Sequence, residues 1–241
     1  MSAADPLLKL AGVIGGYGEL LILRGIEFAI RERSLTTVIG ANGAGKSTLL
    51  KTIVGALPCR EGRIEFAGAD VTGDDAIARL RRGIGLVPQG RCNFPLMSVA
   101  ENLRLGAFSR RAGKAVVAAE IERLTERFPL LRQRWRTLAG NLSGGEQQIL
   151  EMAMVLMARP RLLLLDEPSL GLSPKMSTQV FEEIRRLVDE GITVLMVEQN
   201  AAEALEYSDD GIVLELGAVR LQQPAATVLE HPEIRRLFLG L

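Results

Sequence analysis

A glycine-rich segment at residues 40–47, with the sequence GANGAGKS, constrains the fold of this chain more than any other feature. It matches the pattern GxxxxGK followed by Ser or Thr, and it lies between an apolar run at 35–39 and a helix-forming stretch at 48–56. Glycines allow backbone N–H groups to face an anion, and the N-terminus of the following helix adds its positive dipole end. The strand, loop and helix in this order therefore predict a site for the phosphates of ATP.

The side chains of this loop have separate expected roles. Lys46 supplies a positive charge for the β- and γ-phosphates of ATP, and the Ser47 hydroxyl is a candidate ligand for Mg²⁺. A chance glycine turn before a helix is the alternative, but the complete order of strand, loop, Lys-Ser and helix argues against it. The residues expected to contact ATP through the loop are Gly40, Ala41, Asn42, Gly43, Ala44, Gly45, Lys46, Ser47 and Thr48.

Two carboxylates, Asp166 and Glu167, directly follow the apolar run at 162–165. The carboxyl end of a buried strand is the edge at which ligands bind in open α/β sheets. We expect Asp166 to hold Mg²⁺, often through water, and Glu167 to orient and deprotonate the water that attacks the γ-phosphate. A strand end capped by solvated acids is the structural alternative, and the phosphate loop favours the catalytic interpretation.

Composition limits the class of protein. The chain has 241 residues, of which 47% are hydrophobic, so it can bury a sizeable core. Basic and acidic residues number 29 each, so no net charge favours nucleic acid as a partner. We see no signal peptide, and the longest apolar runs are shorter than the roughly 20 residues that span a membrane. These features predict a soluble protein whose membrane role, if any, depends on a partner.

The order of apolar runs predicts the architecture. Strand-like and helical patterns alternate, as in a mostly parallel α/β sheet, whereas residues 1–34 and 60–72 resemble antiparallel strands. Residues 91–155 read as mostly helical, and Ser98 with Glu101 forms a capping box that opens one helix. The clearest strands are expected at 35–39, 83–87, 162–165, 193–197 and 211–214.

A second specific motif, LSGGEQ at residues 142–147, precedes another helical run. Ser143 and Glu146 have the spacing of a capping box, so a helix should begin there with free N–H groups. With this motif in place, the chain resembles the ATP-binding cassette (ABC) family from about residue 10 to its end. The resemblance implies an α/β P-loop NTPase cassette with a RecA-like core, a small antiparallel β lobe and an inserted helical lobe.

The resemblance also implies domain boundaries. A single ABC ATPase domain would cover residues 1–241. The β lobe and the first part of the core would occupy about 1–90, the helical lobe about 91–155, and the second part of the core about 156–241.

The same resemblance implies roles for further residues. Tyr17 would stack on adenine, and Gln89 would touch Mg²⁺ and the water while linking the core to the helical lobe. Two cassettes of this family sandwich two ATP molecules head to tail, so the signature motif would contact the nucleotide of the opposite subunit. The signature residues expected to contact ATP are Ser143, Gly144, Gly145 and Glu146.

Two positions depart from the family pattern. Gln199 stands where the family usually has a catalytic histidine, and the only histidine, His231, lies near the C-terminus with a solvated or helix-capping role expected. Glutamine can hydrogen-bond the γ-phosphate or the water but cannot carry a proton or positive charge. We therefore expect a catalytic role for Gln199 in a slower site. Ser173 replaces a frequent aspartate and is expected to cap a helix.

The segments DEPSLGLSP at 166–174 and VEQN at 197–200, with the ending at 238–240, resemble the shorter ATPase subunit of branched-chain amino acid importers. The resemblance implies a second ABC ATPase (a homologue or the same chain), two integral membrane permeases and an external solute-binding protein. It also implies a peripheral location on the cytoplasmic face of the inner (plasma) membrane. A groove near 94–105 would receive a permease helix, although Leu96 and Val99 could instead be core residues of the lobe.

Other functions share parts of this pattern. A urea or amide importer, a lipid or lipopolysaccharide exporter, and a soluble single-cassette assembly ATPase all remain alternatives. A DNA-repair ATPase is excluded, because those proteins separate the two motifs by long coiled coils. Here only about a hundred residues intervene, without a sustained heptad pattern.

Overall fold

The computed structural model describes residues 6–108 and 112–236, which form ten strands in two sheets, ten α-helices and a short 3-10 helix at Ala139–Asn141. The strands are β1 Leu8–Tyr17, β2 Leu20–Ile30, β3 Leu35–Ile39, β4 Cys59–Phe66, β5 Ala69–Asp70, β6 Ile84–Val87, β7 Leu162–Asp166, β8 Thr193–Val197, β9 Asp210–Glu215 and β10 Ala218–Pro224. The helices are α1 Lys46–Ile53, α2 Ala76–Arg82, α3 Val99–Gly106, α4 Lys114–Arg127, α5 Pro129–Gln133, α6 Gly144–Leu156, α7 Pro174–Asp189, α8 Ala201–Glu206, α9 Ala225–Glu230 and α10 Pro232–Ile234.

The larger sheet has the strand order β10-β9-β3-β8-β7-β6, and only the edge strand β10 runs antiparallel to its neighbour. Every residue of β3, β7 and β8 is buried, because helices cover both faces of the sheet. This burial explains why the strands appear in the sequence as continuous apolar runs. All five predicted strands are confirmed, and β3 and β8 begin and end at the predicted residues.

The smaller sheet is antiparallel, with the order β2-β1-β4-β5. The antiparallel strands predicted at 60–72 are confirmed: β4 and β5 pair there and are joined through Ala67 and Gly68, both with positive φ. Buried residues of this sheet, of α1 and of one face of the larger sheet share a single hydrophobic cluster. The small sheet therefore packs over the phosphate loop and the helix that follows it.

The helical region runs from α3 to α6, as predicted. Its capping box is confirmed: Ser98 N donates to Glu101 Oε2 at 2.7 Å, and Glu101 N donates to Ser98 Oγ at 3.3 Å. Val99 is fully buried in a cluster that joins this region to β7 and α7, whereas the side chain of Leu96 is 87% exposed. Val99 is thus a core residue and does not line a groove, and Leu96 is available on the surface.

Two residues for which a helix-capping role was expected make no capping hydrogen bond. Ser173 occupies the N-cap of α7 ahead of Pro174, but its hydroxyl makes no capping hydrogen bond. His231 occupies the N-cap of α10, also without a capping bond. Its side chain is partly exposed, and its Nδ1 atom is buried without a partner among the described residues. The ending at 238–240 lies outside the described residues. No helix within the described ranges has the length and apolar character needed to cross a membrane.

Candidate active site

A cleft of about 410 Å³ opens where the phosphate loop meets the carboxyl ends of β7 and β8 and the β1–β2 hairpin. It brings together side chains that are up to 182 positions apart in sequence, from Tyr17 to Gln199. The cleft is lined by Tyr17, Ile22, Asn42, Gly43, Gly45, Lys46, Ser47, Thr48, Gln89, Glu167, Leu170 and Gln199.

The phosphate loop connects β3 to α1 in a conformation that requires glycine. Gly45, the residue before α1, has a φ of 104°, and a Cβ atom on Gly40 would lie 2.4 Å from the carbonyl oxygen of Leu214. Lys46 is buried, and its Nζ donates to the Gly40 carbonyl at 2.8 Å. The lysine charge is therefore held inside the loop, next to the N-terminus of α1, where an anion is stabilised.

Ser47 and Asp166 meet beneath this loop. Ser47 Oγ donates to Asp166 Oδ1 at 3.0 Å, and the Asp166 side chain is only 5% exposed. Burial raises the pKa of Asp166, although the Ser47 hydrogen bond and the charges of Lys51 and Lys46 oppose the shift. A hydroxyl and a partly desolvated carboxylate beside a phosphate site suit Mg²⁺, which binds through one or two carboxylates together with substrate phosphates.

Glu167 adopts an unusual backbone conformation at the end of β7. Its φ is 51°, in the left-handed region that few non-glycine residues occupy, and its N–H donates to the Val197 carbonyl at 2.9 Å. Its Oε2 accepts a hydrogen bond from Gln89 Nε2 at 2.8 Å, and its Oε1 lies 4.0 Å from Lys46 Nζ. The carboxylate is therefore held in the cleft by two side chains from other elements.

The remaining predicted side chains lie at the rim of the cleft. Gln89 and Gln199 are exposed and follow β6 and β8 respectively. The Tyr17 side chain is 45% exposed, and Lys51 Nζ lies 5.9 Å from the centre of its ring. An exposed ring and two amides at the mouth of the cleft can contact a nucleotide base at one end and a phosphate at the other.

The signature motif lies outside this cleft. Ser143 and Glu146 form the predicted capping box at the start of α6, where Ser143 N donates to Glu146 Oε2 at 2.7 Å. The Glu146 carboxylate also accepts a hydrogen bond from Arg134 Nε at 3.3 Å. Its two oxygens therefore bond to the helix cap and to this arginine. Gly144 lines a separate cleft of about 210 Å³, which Glu167 also borders. The structure thus does not bring the signature residues to the same cleft as Lys46.

Sequence reasoning missed two residues that line the larger cleft, Ile22 and Leu170. Ile22 reaches the cleft because β2 folds back along β1, pairing Leu21 with Gly16 and Leu20 with Tyr17. The run of apolar residues just after Tyr17 was the available signal for a hairpin at this point. Leu170 follows Glu167 in the loop after β7, and an exposed leucine beside two carboxylates gave no signal of its own.

Comparisons with known proteins agree on one family. The sequence profile described as "ABC transporter" matches residues 23–170. BraG of Pseudomonas aeruginosa, a high-affinity branched-chain amino acid transport ATP-binding protein, is 41% identical over 224 residues, which cover 93% of this chain and 95% of BraG. LivF of Archaeoglobus fulgidus, a probable branched-chain amino acid transport ATP-binding protein, is 38% identical over 98% of this chain and 99% of LivF.

Solved structures give the same result. An ATP-binding cassette of an ABC transporter in its ADP conformation superposes with a TM-score of 0.89 at 26% sequence identity, covering 99% of this chain and 100% of that one. A nucleotide-free cassette from an ABC transporter superposes with a TM-score of 0.88 at 26% identity, covering 98% and 100%. The predicted fold class, a P-loop cassette with two sheets and a helical region, is confirmed.

Proposed function

The chain belongs to the ABC transporter family as an ATP-hydrolysing cassette, and we propose that it drives uptake of branched-chain amino acids through a membrane permease. The observation that carries the catalytic part is the single cleft shared by the phosphate loop, Gln89, Glu167 and Gln199. These residues come from four separate loops and have in common only that they line this cleft, where a nucleotide phosphate would be held.

In this proposal the chain's own residues divide the work of binding ATP. The loop N–H groups and Lys46 would hold the β- and γ-phosphates, while Tyr17 would stack on the base. Ser47 and Asp166, joined at 3.0 Å, would hold Mg²⁺, with Gln89 as a further contact. The ion would neutralise negative charge on the phosphates.

Hydrolysis would depend on Glu167 and the two amides. Glu167 accepts from Gln89 at 2.8 Å, so one carboxylate oxygen is oriented while the other is free to accept a proton from water. Gln199 can donate its amide N–H to the γ-phosphate or offer its amide oxygen to the water. Glutamine carries no charge at this position, which supports our expectation of a slow site.

A second cassette would complete the site. The N-terminus of α6, with Ser143, Gly144 and Gly145, lies outside the cleft that contains Lys46. A head-to-tail pair would bring this helix N-terminus to the γ-phosphate held by the other subunit, where its N–H groups and dipole favour an anion. The second subunit is a homologue or another copy of this chain.

The permease would dock on the helical region. A mostly apolar groove of about 490 Å³ is lined in part by the exposed rings of Phe94 and Phe108 and by Leu105. Leu96, which is also exposed, lies two positions from Phe94 in sequence. Glu151 of α6 holds one edge of this groove, because its Oε1 accepts from Cys92 N at 3.1 Å and from Asn93 Nδ2 at 2.6 Å. We propose that a cytoplasmic helix from each of two permease subunits binds here, which would keep the chain peripheral on the cytoplasmic face of the plasma membrane.

The proposed substrate follows from the names of BraG and LivF, which match this chain over nearly their whole lengths. An external solute-binding protein would deliver it. Deleting the gene in its native host should abolish high-affinity uptake of radiolabelled leucine, isoleucine and valine, and the wild-type gene should restore it. The E167Q variant serves as the matched control and should fail to restore uptake.

Other outcomes would identify the alternatives. Loss of urea or acetamide uptake with normal leucine uptake would indicate an amide importer. Retained uptake with altered envelope lipid or lipopolysaccharide would indicate an exporter. A tagged chain that co-purifies with soluble proteins and no integral membrane protein would indicate an assembly ATPase.

A further inference from the structure

A buried carboxylate, Glu198, lies between the two loops that carry Glu167 and Gln199. Its side chain is 1% exposed, directly after the last residue of β8. Glu198 Oε1 accepts from the backbone N–H of Ser169 at 2.8 Å, and Oε2 accepts from the backbone N–H of Gln199 at 3.0 Å. One side chain thus joins the loop after β7 to the loop after β8.

Both joined segments lead to the reacting end of the cleft. Ser169 is two residues beyond Glu167, and Gln199 is itself a cleft residue. Backbone bonds already join the neighbouring strand ends, since Glu167 N donates to Val197 O at 2.9 Å and Glu198 N donates to Val38 O at 3.2 Å. The side chain of Gln199 is exposed, so the protein controls its position chiefly through the backbone that Glu198 holds.

The electrostatics of Glu198 argue against a role in stability alone. Burial raises the pKa of this carboxyl and the nearby charge of Glu167 adds to the shift, while hydrogen bonds from Ser169 and Gln199 oppose it. A second carboxylate buried close to the first costs folding free energy, which a neutral side chain would avoid. Perturbed carboxyl groups of this kind concentrate at functional sites.

We propose that Glu198 is a positioning residue for ATP hydrolysis. Its two oxygens hold the Glu167 loop and the Gln199 backbone at a fixed separation. The carboxylate of Glu167 and the amide of Gln199 can then both act at the same γ-phosphate. This inference rests on the proposed roles of those two residues. Glu198 itself does not line the cleft that contains Lys46, so it would act through these two residues.

The chemistry of the two contacts supplies a discriminating variant. Both oxygens of Glu198 accept from backbone N–H groups, and the Ser169 hydroxyl adds a further hydrogen bond to this carboxylate. Glutamine has the same shape but presents an NH₂ group to one of the two donors, so E198Q replaces one hydrogen bond by a donor-donor contact. Aspartate keeps both acceptor oxygens on a shorter side chain.

The test measures kcat, KM and thermal unfolding of the full chain as E198Q and E198D, with Glu206→Gln on the exposed face of α8 as the control. Misplacement of catalytic groups by about 1 Å lowers rates by up to roughly 100-fold. We expect kcat of E198Q to fall by about 10- to 100-fold, with KM within about twofold of wild type and the folded fraction unchanged at the assay temperature. E198D should recover part of kcat, and Glu206→Gln should match wild type.

A double variant separates positioning from general damage. If Glu198 acts through Gln199, E198Q should lower kcat much less in a Gln199→Ala background than in the wild type. Equal fold-losses in the two backgrounds, an unchanged kcat, or a loss of kcat that matches the unfolded fraction would each overturn the positioning role. Wild-type turnover that E167Q abolishes and E198Q leaves intact would refute this inference while leaving the proposed function standing. A wild-type complex, assembled with its second cassette and permease subunits, that lacks ATPase activity would refute both.

Discussion

Gln89 Nε2 donates a hydrogen bond of 2.8 Å to Glu167 Oε2, although 78 positions separate the two residues in sequence. Gln89 follows β6 and leads into the segment that borders the apolar groove, whereas Glu167 directly follows the neighbouring strand β7. The contact means that a movement of the groove segment can reach the carboxylate without passing through the sheet. It also ties the first prediction to a defined geometry.

The variant E167Q should bind ATP with near-wild-type affinity and lose turnover. Glutamine keeps an oxygen that can accept from Gln89, so the site should retain its shape, but an amide cannot take a proton from water. We expect kcat to fall at least about 100-fold. Phosphate release assays and binding of a fluorescent ATP analogue measure the two quantities, and full turnover in E167Q would refute the assignment of the base.

The variant Q199H should hydrolyse ATP faster than wild type in the assembled complex. An imidazole at this position can donate to the γ-phosphate and carry a proton, which the amide cannot. We expect kcat to rise by at least about twofold and to acquire a new pH dependence near pH 6.5, where histidine titrates. Gln199→Ala is the matched control, and unchanged or lower turnover in Q199H would count against a slow site.

Replacing Tyr17 should separate base stacking from the hydroxyl contact. The ring is 45% exposed in the cleft, and its hydroxyl oxygen accepts from Lys51 Nζ at 3.4 Å. Stacking of a base on an aromatic ring is worth about 1–3 kcal/mol, so Tyr17→Ala should weaken ATP binding by roughly 5- to 150-fold. Tyr17→Phe keeps the ring and should bind normally. Isothermal titration gives both affinities, and a normal affinity in Tyr17→Ala would place the adenine elsewhere.

Arg79 should prove necessary for stability. This arginine of α2 is 1% exposed, and its guanidinium donates to four backbone carbonyls, those of Thr52, Ile53, Thr72 and Asp74. Arg79→Met would leave these oxygens without their charged partner, and we expect the free energy of unfolding to fall by about 3 kcal/mol or more. In a chain of this size the loss corresponds to roughly 6–12 °C in Tm. Arg81→Met, at an exposed position of the same helix, should change Tm little, and equal effects in the two variants would contradict the prediction.

Glu120 should contribute to stability in a pH-dependent way. Burial alone would raise the pKa of this 1% exposed carboxyl, but hydrogen bonds and charges from Arg123 and Arg159 outweigh it and lower the pKa. Its contribution is therefore complete above the unfolded-state pKa of about 4.3 and is lost as the pH falls through the lower folded-state value.

The matched pair for this prediction is E120Q and Glu122→Gln. Glu122 lies on the same helix as Glu120, and its exposed ion pair is with Arg132 of α5. E120Q should lower Tm at pH 7 and flatten the decrease in Tm on acidification below about pH 4.5. Glu122→Gln should leave both nearly unchanged. A wild-type acid dependence in E120Q would show that the Arg123 and Arg159 contacts do not stabilise the folded state.

Local patterns in the sequence predicted the parts of the fold that are buried on all sides. The strands at 35–39 and 193–197 were located to the residue, because both are short, uncharged and mostly apolar runs. The two capping boxes could also be predicted from the sequence, since each depends on two residues that are three positions apart. Local sequence patterns did not predict which of Val99 and Leu96 is buried and which is exposed. Both are apolar neighbours of one cap, and only the packing of α3 against α6 decides which of them is covered.

The residues of the candidate site likewise fall into two groups: those that local sequence patterns predict, and those whose position depends on contacts between distant segments. Lys46, Ser47, Asp166 and Glu167 stand in motifs whose order along the chain reveals their chemistry. Ile22 enters the cleft through the register between β1 and β2, which no local pattern specifies. Glu198 was visible as a residue of the VEQN segment, but its role depends on the folding of the Ser169 loop against the end of β8. Contacts across neighbouring parallel strands arise only in the assembled sheet.

The length of α6 has a mechanical consequence. The helix has 13 residues and packs against β6. Ser143 lies about 20 Å from its C-terminal end, whereas Glu151 lies only about 7.5 Å from that end. If α6 pivots near Leu156, a shift of 1 Å applied at Glu151 becomes roughly 2.5 Å at Ser143. Hydrogen bonds to a phosphate tolerate only a few tenths of an ångström, so such a pivot would let a small push on the Cys92–Asn93 segment make or break the phosphate contacts proposed for Ser143.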